Sequence, residues 1–371
     1  MKVLVIGMSD NPGGIESFIE AYYNEMKNTI SFDFMVFTKS CVNYDKLISN
    51  GSKVFFIKHA QFKDYFNYDK EMKSFFREHG KSYDAIWVNC CDLANSSILS
   101  YAKKAGIKKR IIHAHNNQFM QSGKRLLFYK FMHNIMKIRI SNLATDFWAC
   151  SDLAGQFFYS KKLLKSNKYK VINNAIDISS FKFNQDVRNE YRKKYGLEDK
   201  IVLGHVGRFH FQKNQSFLID IFNEIIKLDN NYHLLLVGQG DDEEKIKRKV
   251  NCLKLDNHVT FLGVRDDVFS LMQAMDIFVF PSIFEGLGIV LIEAQATGLP
   301  CFTSNKVVPR DVRITELLKF INLEDNPQEW AKYIKECKLN GNRKESYKDI
   351  RNAGFDIKVE ASKVKKLLME E

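Results

Sequence analysis

The sequence has few of the features that mark disordered, fibrous or membrane-spanning chains. Only five of its 371 residues are proline, and it contains neither a low-complexity tract nor an internal repeat. The 45% of hydrophobic residues predicts a globular protein that is long enough for two domains. No apolar run approaches the roughly 18 residues that cross a bilayer, and the first residues carry no secretory signal pattern.

Cysteine usage excludes two further classes of protein. The seven cysteines are an odd number, and no two of them have the C-x-x-C spacing of a zinc site. Scattered, unpaired cysteines also argue against the disulfide framework of a small secreted protein. We therefore expect a protein of the reducing cytoplasm that holds no structural metal.

Acidic residues are scarce in one part of the chain. Residues 101–170 contain 15 Lys and Arg against two Asp, an excess that could account for the whole net charge of +12. A basic surface attracts nucleic acid, anionic lipid or a phosphate-bearing substrate, and charge alone does not separate these partners.

Short apolar runs alternate with longer helical patterns along the chain, which is typical of parallel sheets built from βαβ units. The fold class predicted is therefore α/β, with two Rossmann-like parallel-sheet domains. The polar stretch 179–200 separates the two series and is the expected boundary. The predicted strands are 3–6, 33–37, 53–57, 85–88, 110–113, 146–149 and 170–172, and then 201–206, 233–237, 259–261, 277–280 and 300–303.

The most informative stretch, residues 280–300, places two carboxylates around a loop-to-helix junction. A buried strand ends before Pro281, and a helix is predicted over about 288–297, with Gly298 as its stop. Glu285 then lies at the carboxyl end of the strand, and Glu293 lies inside the helix. The N–H groups at the start of that helix suit a phosphate. Hydroxyl acceptors on both sides of an anion site fit a nucleotide sugar.

This stretch resembles the signature of the family-four retaining glycosyltransferases, since Glu285 and Glu293 stand within Pro-Ser-x-x-Glu-Gly-x-Gly and Glu-Ala-x-Ala-x-Gly-x-Pro. The resemblance implies the two-domain GT-B fold, with the domains facing across a cleft. It implies an acceptor-binding domain over 1–180 and a donor-binding domain over 181–350. A terminal helix over 351–371 would pack back on the first domain.

The loop after the first strand of the second series carries two cations. Arg208 and Lys213 would give charge-assisted hydrogen bonds to a diphosphate, and the family pattern has an Arg and a Lys at these positions. By the same resemblance Glu285 holds the hydroxyls of the sugar. Donor-binding roles are expected for eight residues, with Glu293 at the ribose: Gly13, Gly14, Gly207, Gly238, Gly286, Leu287, Gly288 and Glu293.

Two segments of the first half carry the remaining candidates. Gly13 and Gly14 resemble the Gly-Gly-x-Glu of the family, whose backbone approaches the donor phosphate or the acceptor. The loop is not the G-x-G-x-x-G fingerprint of dinucleotide-binding proteins. His113 and His115 follow a strand, and family members carry a histidine here near the reacting centre. His115 aligns better just past the strand end, and His113 is the alternative.

Residues 123–139 read as a basic amphipathic helix with an apolar stripe of Leu127, Phe131, Ile135 and Ile138. One interpretation is a helix that covers the sheet with this stripe. The other is peripheral attachment to the anionic inner face of the cell membrane, where each exposed cation contributes on the order of 1 kcal/mol.

The function expected is transfer of a UDP-linked sugar, with retention, to a glycan or lipid-linked acceptor in exopolysaccharide or capsule assembly. No Asp-x-Asp metal motif occurs, so neither a metal nor another cofactor is expected. A sugar-nucleotide epimerase of the same fold is one alternative. A nicotinamide-dependent dehydrogenase lacks its glycine fingerprint. A nucleic-acid-binding protein would leave the Glu285 stretch unexplained, so nucleic acid is not an expected partner.

Overall fold

A computed structural model describes residues 1–11, 13–94, 96–121, 123–305, 308–339, 343 and 346–370. Pro12 of the first glycine loop and the terminal Glu371 lie outside these residues. The chain divides into two compact units, and each is described by itself. Unit 1 comprises Met1–Ala175 with Ile357–Glu371, and unit 2 comprises Ile176–Asp356.

Unit 1 is built on a parallel sheet that shows seven strands in its described residues, in the order β3-β2-β1-β4-β5-β6-β7. The strands are β1 Lys2–Ile6, β2 Ser31–Val36, β3 Val54–Phe56, β4 Ala85–Cys90, β5 Lys109–Ala114, β6 Asp146–Ala149 and β7 Tyr169–Val171. The helices are α1 Gly14–Met26, α2 Tyr44–Ser49, α3 Tyr65–His79, α4 Ile98–Lys104, α5 Gly123–Leu143, α6 Asp152–Phe158 and α7 Lys161–Leu164.

Unit 2 repeats this architecture with a six-stranded sheet across its described residues, in the order β10-β9-β8-β11-β12-β13. Its strands are β8 Ile201–Val206, β9 Tyr232–Val237, β10 Val259–Phe261, β11 Ile277–Phe280, β12 Cys301–Ser304 and β13 Leu318–Ile321. Its helices are α8 Gln185–Tyr195, α9 Gln215–Leu228, α10 Glu243–Cys252, α11 Val268–Ala274, α12 Ile289–Ala296, α13 Pro327–Lys335 and α14 Tyr347–Asn352.

Parallel pairing explains why the strands could be read from the sequence. A parallel strand is covered on both faces, so it appears as a continuous apolar run, and β11 is buried along its whole length. Every predicted strand overlaps an observed one. The sequence reading missed β13, because its Leu-Lys-Phe-Ile pattern is short and places the exposed Lys319 inside the strand.

The end of the chain forms two helices, with Gly354 at a φ of +85° after the first. The second of them, α15 Ile357–Met369, belongs to unit 1. Its apolar residues pack in the same buried cluster as those of α1, and they are Ile357, Ala361, Val364 and Leu368. The Lys109 ammonium donates to the backbone carbonyls of Leu367 and Glu370 near the end of this helix.

The orientation of α5 contradicts one interpretation of its sequence. Leu127, Phe131 and Ile138 face outward, with 70%, 62% and 80% of their surface exposed. The helix packs on the unit through His133, Met136 and Ile140 instead. The interpretation in which the apolar stripe covers the sheet is therefore wrong.

Hydrogen bonds of His133 account for the face that α5 buries. The backbone N–H of Leu93 donates to His133 Nδ1 at 3.1 Å, and His133 Nε2 lies 3.1 Å from the carbonyl oxygen of Phe157. Both nitrogens of a buried imidazole are thereby satisfied, which offsets the cost of burying it. Hydrophobic periodicity does not register such polar contacts, so it selected the opposite face.

Gly7 follows β1 directly, and a substitution there tests how tightly the sheet packs beneath the first loop. Its φ is +134°, and a Cβ there would lie 2.8 Å from Asn89 Cβ. We expect Gly7→Ala to lower the free energy of unfolding by about 1–3 kcal/mol, through overpacking and strain together. Denaturation in urea measures this. Gly14→Ala is the matched control, because a Cβ on Gly14 meets nothing within 4 Å; equal effects of the two changes would contradict the packing.

Candidate functional site

The two central strands of the unit 2 sheet bring the candidate donor residues together. β8 and β11 are neighbours, with Leu203 opposite Ile277. The chain order of the sheet reverses between them, and ligands of such sheets bind at this point, beyond the carboxyl ends of the strands. The loop after β8 carries Arg208 and Lys213, and the loop after β11 carries Glu285.

Hydrogen bonds between these two loops fix their relative position. The backbone N–H of Ile283 donates to the Gln212 carbonyl at 2.7 Å, and Gln212 Nε2 donates to the Phe284 carbonyl at 2.9 Å. Asn214 Nδ2 donates to the Pro281 carbonyl at 3.2 Å. Each loop is thus anchored on the other, which preorganises the side chains between them.

An ion pair joins the ends of the two loops. Lys213 Nζ lies 2.7 Å from Glu285 Oε1, and the two side chains are only 19% and 7% exposed. The buried Ser282 hydroxyl donates to the same carboxylate oxygen at 2.5 Å. No described residue donates to the other oxygen, Glu285 Oε2. The Lys213 ammonium also lies over the Phe280 ring, 4.9 Å from its centroid.

The helix predicted after this loop is present as α12. Gly288 is its N-cap at a φ of +87°, a conformation that favours glycine, and Gly298 follows its end at +72°. A Cβ on Gly288 would lie 3.6 Å from Glu285 Cγ, so the start of the helix adjoins the carboxylate. Gly286 and the buried Leu287 connect Glu285 to the start of the helix.

Glu293 lies within α12 and differs from Glu285 in its environment. Its side chain is half-buried, and no described residue makes a hydrogen bond or an ion pair with its carboxylate. Burial raises its pKa from 4.5 to about 7. Near neutral pH this carboxyl group is therefore both a donor and an acceptor of hydrogen bonds.

Backbone packing brings the two remaining glycines of the donor set together. Gly238 has a φ of +127°, and a Cβ there would lie 2.3 Å from the Gly207 carbonyl oxygen. Any side chain at Gly238 would displace the loop after β8. Arg208, next to Gly207, is exposed and makes no ion pair with a described residue. Its guanidinium is available to an anion.

In unit 1 the two histidines lie side by side, with ring centroids 4.2 Å apart. His113 is fully buried, its ring near Phe18 and Trp148 at 4.9 and 6.1 Å, while His115 retains 9% exposure. Burial lowers the pKa of His115 to about 3 and the pKa of His113 well below its ordinary value. Both rings are therefore neutral at physiological pH.

Asn89 sets the tautomer of His115. Its Nδ2 donates to the Ile6 carbonyl at 3.1 Å, so its Oδ1 faces the ring and accepts from His115 Nε2 at 2.9 Å. The proton is then on Nε2, and Nδ1 is left with a lone pair and no partner among the described residues. His113 has the same tautomer, because Trp87 Nε1 donates to its Nδ1 at 3.4 Å.

The glycines of the first loop stand at the entry to α1. Gly13 is its N-cap with extended backbone, and Gly14 is its first residue. Gly13 has no side chain with which to cap the helix, so the N–H groups of its first turn are candidates to bind an anion or a hydroxyl.

Four residues of these sites were not assigned from the sequence. Ser282 and Gln212 tie the donor loops together, and Asn89 orients His115. His205 is fully buried behind Gly207, with Nδ1 3.0 Å from the Val279 carbonyl. Polar residues at or just beyond buried strand ends were the available signal, since such residues rarely lie in a parallel-sheet core without a partner.

The described residues contain no group of three or more His, Cys, Asp or Glu arranged to hold a metal ion. None of the helices within them combines the length and the hydropathy needed to span a bilayer.

The Lys213–Glu285 contact gives the first prediction for this site. We expect Lys213→Met to lower the free energy of unfolding by about 2–4 kcal/mol, since it leaves a buried carboxylate without its cation. Adding Glu285→Gln removes that charge, so the double variant should lose at least about 1 kcal/mol less than the sum of the single changes. Urea denaturation of the four proteins measures the coupling, and strict additivity would contradict the ion pair.

The raised pKa of Glu293 predicts how the stability of the protein depends on pH. Because folding raises its pKa, its contribution to stability is fully present below about pH 4.5 and is lost as pH rises through 7. Glu293→Gln should therefore gain stability relative to the parent between pH 5 and 8, by about 1–3 kcal/mol. The exposed carboxylate of Glu198 provides the control, since Glu198→Gln should show no such trend. A pH-independent difference for Glu293→Gln would contradict the shift.

Known proteins resemble both units. Residues 187–356 match the family described as "Glycosyl transferases group 1". The chain is 27% identical over 365 residues to the putative glycosyltransferase EpsF of Bacillus subtilis, covering 96% of this chain and 93% of EpsF. It is 26% identical to CapH of Staphylococcus aureus, a capsular polysaccharide biosynthesis glycosyltransferase, covering 88% of this chain and 86% of CapH.

The fold has a close counterpart among solved structures. HepE of Anabaena, crystallised in complex with UDP and glucose, matches with a TM-score of 0.81 over 100% of both chains at 20% identity. Likeness at this level of identity establishes the fold, and the family match and the full-length relatives establish the class. The resemblance recognised around Glu285 is confirmed: residues 187–356 match the group 1 glycosyltransferases, and the fold is that of the GT-B glycosyltransferases.

Proposed function

We propose that this glycosyltransferase moves a hexose from a UDP-linked donor to a hydroxyl of a glycan or lipid-linked acceptor, with retention of anomeric configuration. The product would enter exopolysaccharide or capsule assembly at the cytoplasmic face of the cell membrane. HepE, bound to UDP and glucose, and CapH, named for capsular polysaccharide, support the donor and the pathway class.

The observation that carries the proposal is the charge arrangement between the loops after β8 and β11. Arg208 has no ion-pair partner among the described residues, and Lys213 contacts one carboxylate oxygen. An ammonium has three donors, so Lys213 can hold Glu285 and a phosphate oxygen at once. Two cations at one strand end suit a diphosphate.

Glu285 would orient the sugar. Lys213 and Ser282 both occupy Oε1, which leaves Oε2 to accept a sugar hydroxyl. A carboxylate held by two donors is fixed in position before the donor arrives. We assign it this positioning role rather than that of a nucleophile.

Glu293 would bind the ribose hydroxyls at the other end of the donor. With its pKa near 7, the carboxyl accepts from one hydroxyl when ionised and can also donate when protonated. Gly207 and Gly238 would let the backbone approach the nucleotide closely.

During transfer, the bond from the anomeric carbon to the phosphate oxygen breaks, and a bond to the acceptor oxygen forms. The proton of the acceptor hydroxyl passes to the departing phosphate. Negative charge grows on that phosphate, and Arg208, Lys213 and the first N–H groups of α12 beyond Gly288 would stabilise it. These groups supply the positive charge locally, so we propose that no metal ion is required.

Unit 1 would bind the acceptor. The Nδ1 lone pair of His115 is the acceptor site that the neutral ring offers to a hydroxyl, and it stays unprotonated because of the lowered pKa. Gly13 and Gly14 would contribute backbone N–H groups. His113 is fully enclosed and would support His115 rather than contact the ligand.

A panel of nucleotide sugars tests the donor site. We expect Glu285→Gln to lower turnover by at least about 100-fold, while the affinity for UDP falls less than in Arg208→Ala, which should lose about tenfold or more. Steady-state kinetics and calorimetric titration with UDP measure the two effects. Arg248→Ala removes an exposed cation of the same unit away from these loops and should change neither.

Three outcomes would contradict parts of this proposal. Normal turnover in Glu285→Gln would remove Glu285 from the site. Loss of activity in a metal chelator would contradict metal independence, and an inverted product anomer in a proton NMR spectrum would contradict retention. Isomerised sugar nucleotide from incubation with the donor alone would indicate an epimerase.

A further inference from the structure

His205 is a buried polar residue in the core of unit 2 that the proposed mechanism does not use. It lies on β8, one of the two central strands, and its side chain is fully buried. Its Nδ1 is 3.0 Å from the carbonyl oxygen of Val279 on the neighbouring β11, and a carbonyl oxygen can only accept a hydrogen bond. The ring proton is therefore on Nδ1, and Nε2 presents a lone pair.

This lone pair is unsatisfied. No described residue makes a hydrogen bond to His205 Nε2. Burial lowers the pKa of His205 to about 4, while the Val279 carbonyl raises the pKa and the charge of Lys213 lowers it to smaller extents. The ring is therefore neutral at physiological pH. Native proteins rarely keep a buried acceptor without a donor, so we expect a donor to reach this nitrogen.

Lys213 borders the same space as this nitrogen. A Cβ built on Gly207 would lie 3.5 Å from His205 Nε2, and it would lie 3.4 Å and 3.5 Å from Cγ and Cδ of Lys213. Phe280 contacts both residues: its ring stacks with that of His205 at 5.5 Å, and the Lys213 ammonium lies 4.9 Å from its centroid. The flexible end of the lysine side chain can therefore reach the imidazole.

The hydrogen bonds of the Lys213 ammonium leave one donor for such a contact. One of its three N–H groups donates to Glu285 Oε1 at 2.7 Å, and a second would hold a phosphate oxygen of the donor. The third N–H needs an acceptor. A neutral imidazole orients an ammonium without neutralising it, whereas a second carboxylate would offset the charge that a diphosphate requires.

We propose that His205 is a positioning residue for Lys213, and that its Nε2 accepts the third N–H of the ammonium when a diphosphate is bound. This role rests on the proposed function, in which Lys213 binds the diphosphate of the donor. The ammonium would be held by Glu285 and by His205, from two neighbouring strands of one sheet. Its remaining N–H would then be fixed towards the phosphate, which preorganises the charge that stabilises the transition state.

Nitrogen-15 NMR of the histidine rings in the full chain tests this contact. We expect His205 to keep the Nδ1–H tautomer with and without UDP. Its Nε2 resonance should move to lower frequency on adding UDP, as it does when the lone pair accepts a hydrogen bond. The signals that disappear in His205→Gln assign the ring. An Nε2–H tautomer, no shift in the UDP complex, or the same shift in Lys213→Met would each overturn the proposal.

Two substitutions separate this role from a purely structural one. Asn at position 205 keeps an amide donor near the place of Nδ1 but has no acceptor at the place of Nε2. Gln puts its amide near Nε2 and loses the tie to Val279. We expect His205→Asn to weaken UDP binding about tenfold, and His205→Gln to recover most of that affinity. If the ring only tied β8 to β11, the order would be reversed, and that result would overturn the proposal.

The effects of His205 and Lys213 should not add, because one residue acts through the other. Lys213→Met should weaken UDP binding by about tenfold or more, and adding His205→Asn should weaken it further by less than about twofold. Calorimetric titration with UDP measures these affinities, and circular dichroism checks that each variant is folded. If His205→Asn does not fold, the NMR spectra of the parent still decide the question.

His233→Asn is the matched control. His233 is a half-buried histidine near the start of β9 in the same unit, with Nε2 2.8 Å from Thr260 Oγ1. This variant should bind UDP as the parent does. Equal UDP binding by the parent and His205→Asn, or losses that add in the double variant, would overturn the role of His205 alone. Absence of UDP binding by the parent would contradict the proposed function and, with it, this role.

Discussion

The ion pair between Lys213 and Glu285 is the contact on which the proposed donor site depends. It joins the loop after β8 to the loop after β11, at the point where the order of the sheet reverses. Forming a buried ion pair costs free energy, because two charges leave water, so the pair adds little net stability. Its main effect is to fix the positions of the two side chains. It keeps a cation and a carboxylate beside the start of α12 before any donor binds.

The rest of unit 2 positions this pair. The Ser282 hydroxyl donates a hydrogen bond to the Glu285 carboxylate, and the Gln212 amide joins the two loops by donating to the Phe284 carbonyl. The strand β11 beneath them is apolar and buried along its whole length, so it forms a rigid base. Arg208 and Glu293 remain without ion-pair partners in the described structure, one at the surface and one half-buried. These are the groups left for a ligand to satisfy.

The sequence predicted the architecture well because parallel strands appear as apolar runs, and because Gly288 and Gly298 bound α12. It also predicted that the loops carrying Lys213 and Glu285 converge, since strand ends at a switch point lie together. It did not predict β13, where Lys319 interrupts the pattern. It assigned the wrong face to α5, because the two hydrogen bonds of His133 outweigh the apolar stripe. Contacts made by single polar side chains, such as Asn89 to His115, cannot be derived from periodicity.

We propose above all that Lys213 and Arg208 bind the diphosphate of the donor while Glu293 binds the ribose. A crystal structure of the chain with UDP tests this most directly. We expect phosphate oxygens within hydrogen-bonding distance of the Arg208 guanidinium and of Lys213 Nζ, with the ribose hydroxyls on the Glu293 carboxyl. UDP bound elsewhere, or a diphosphate that contacts neither cation, would contradict it.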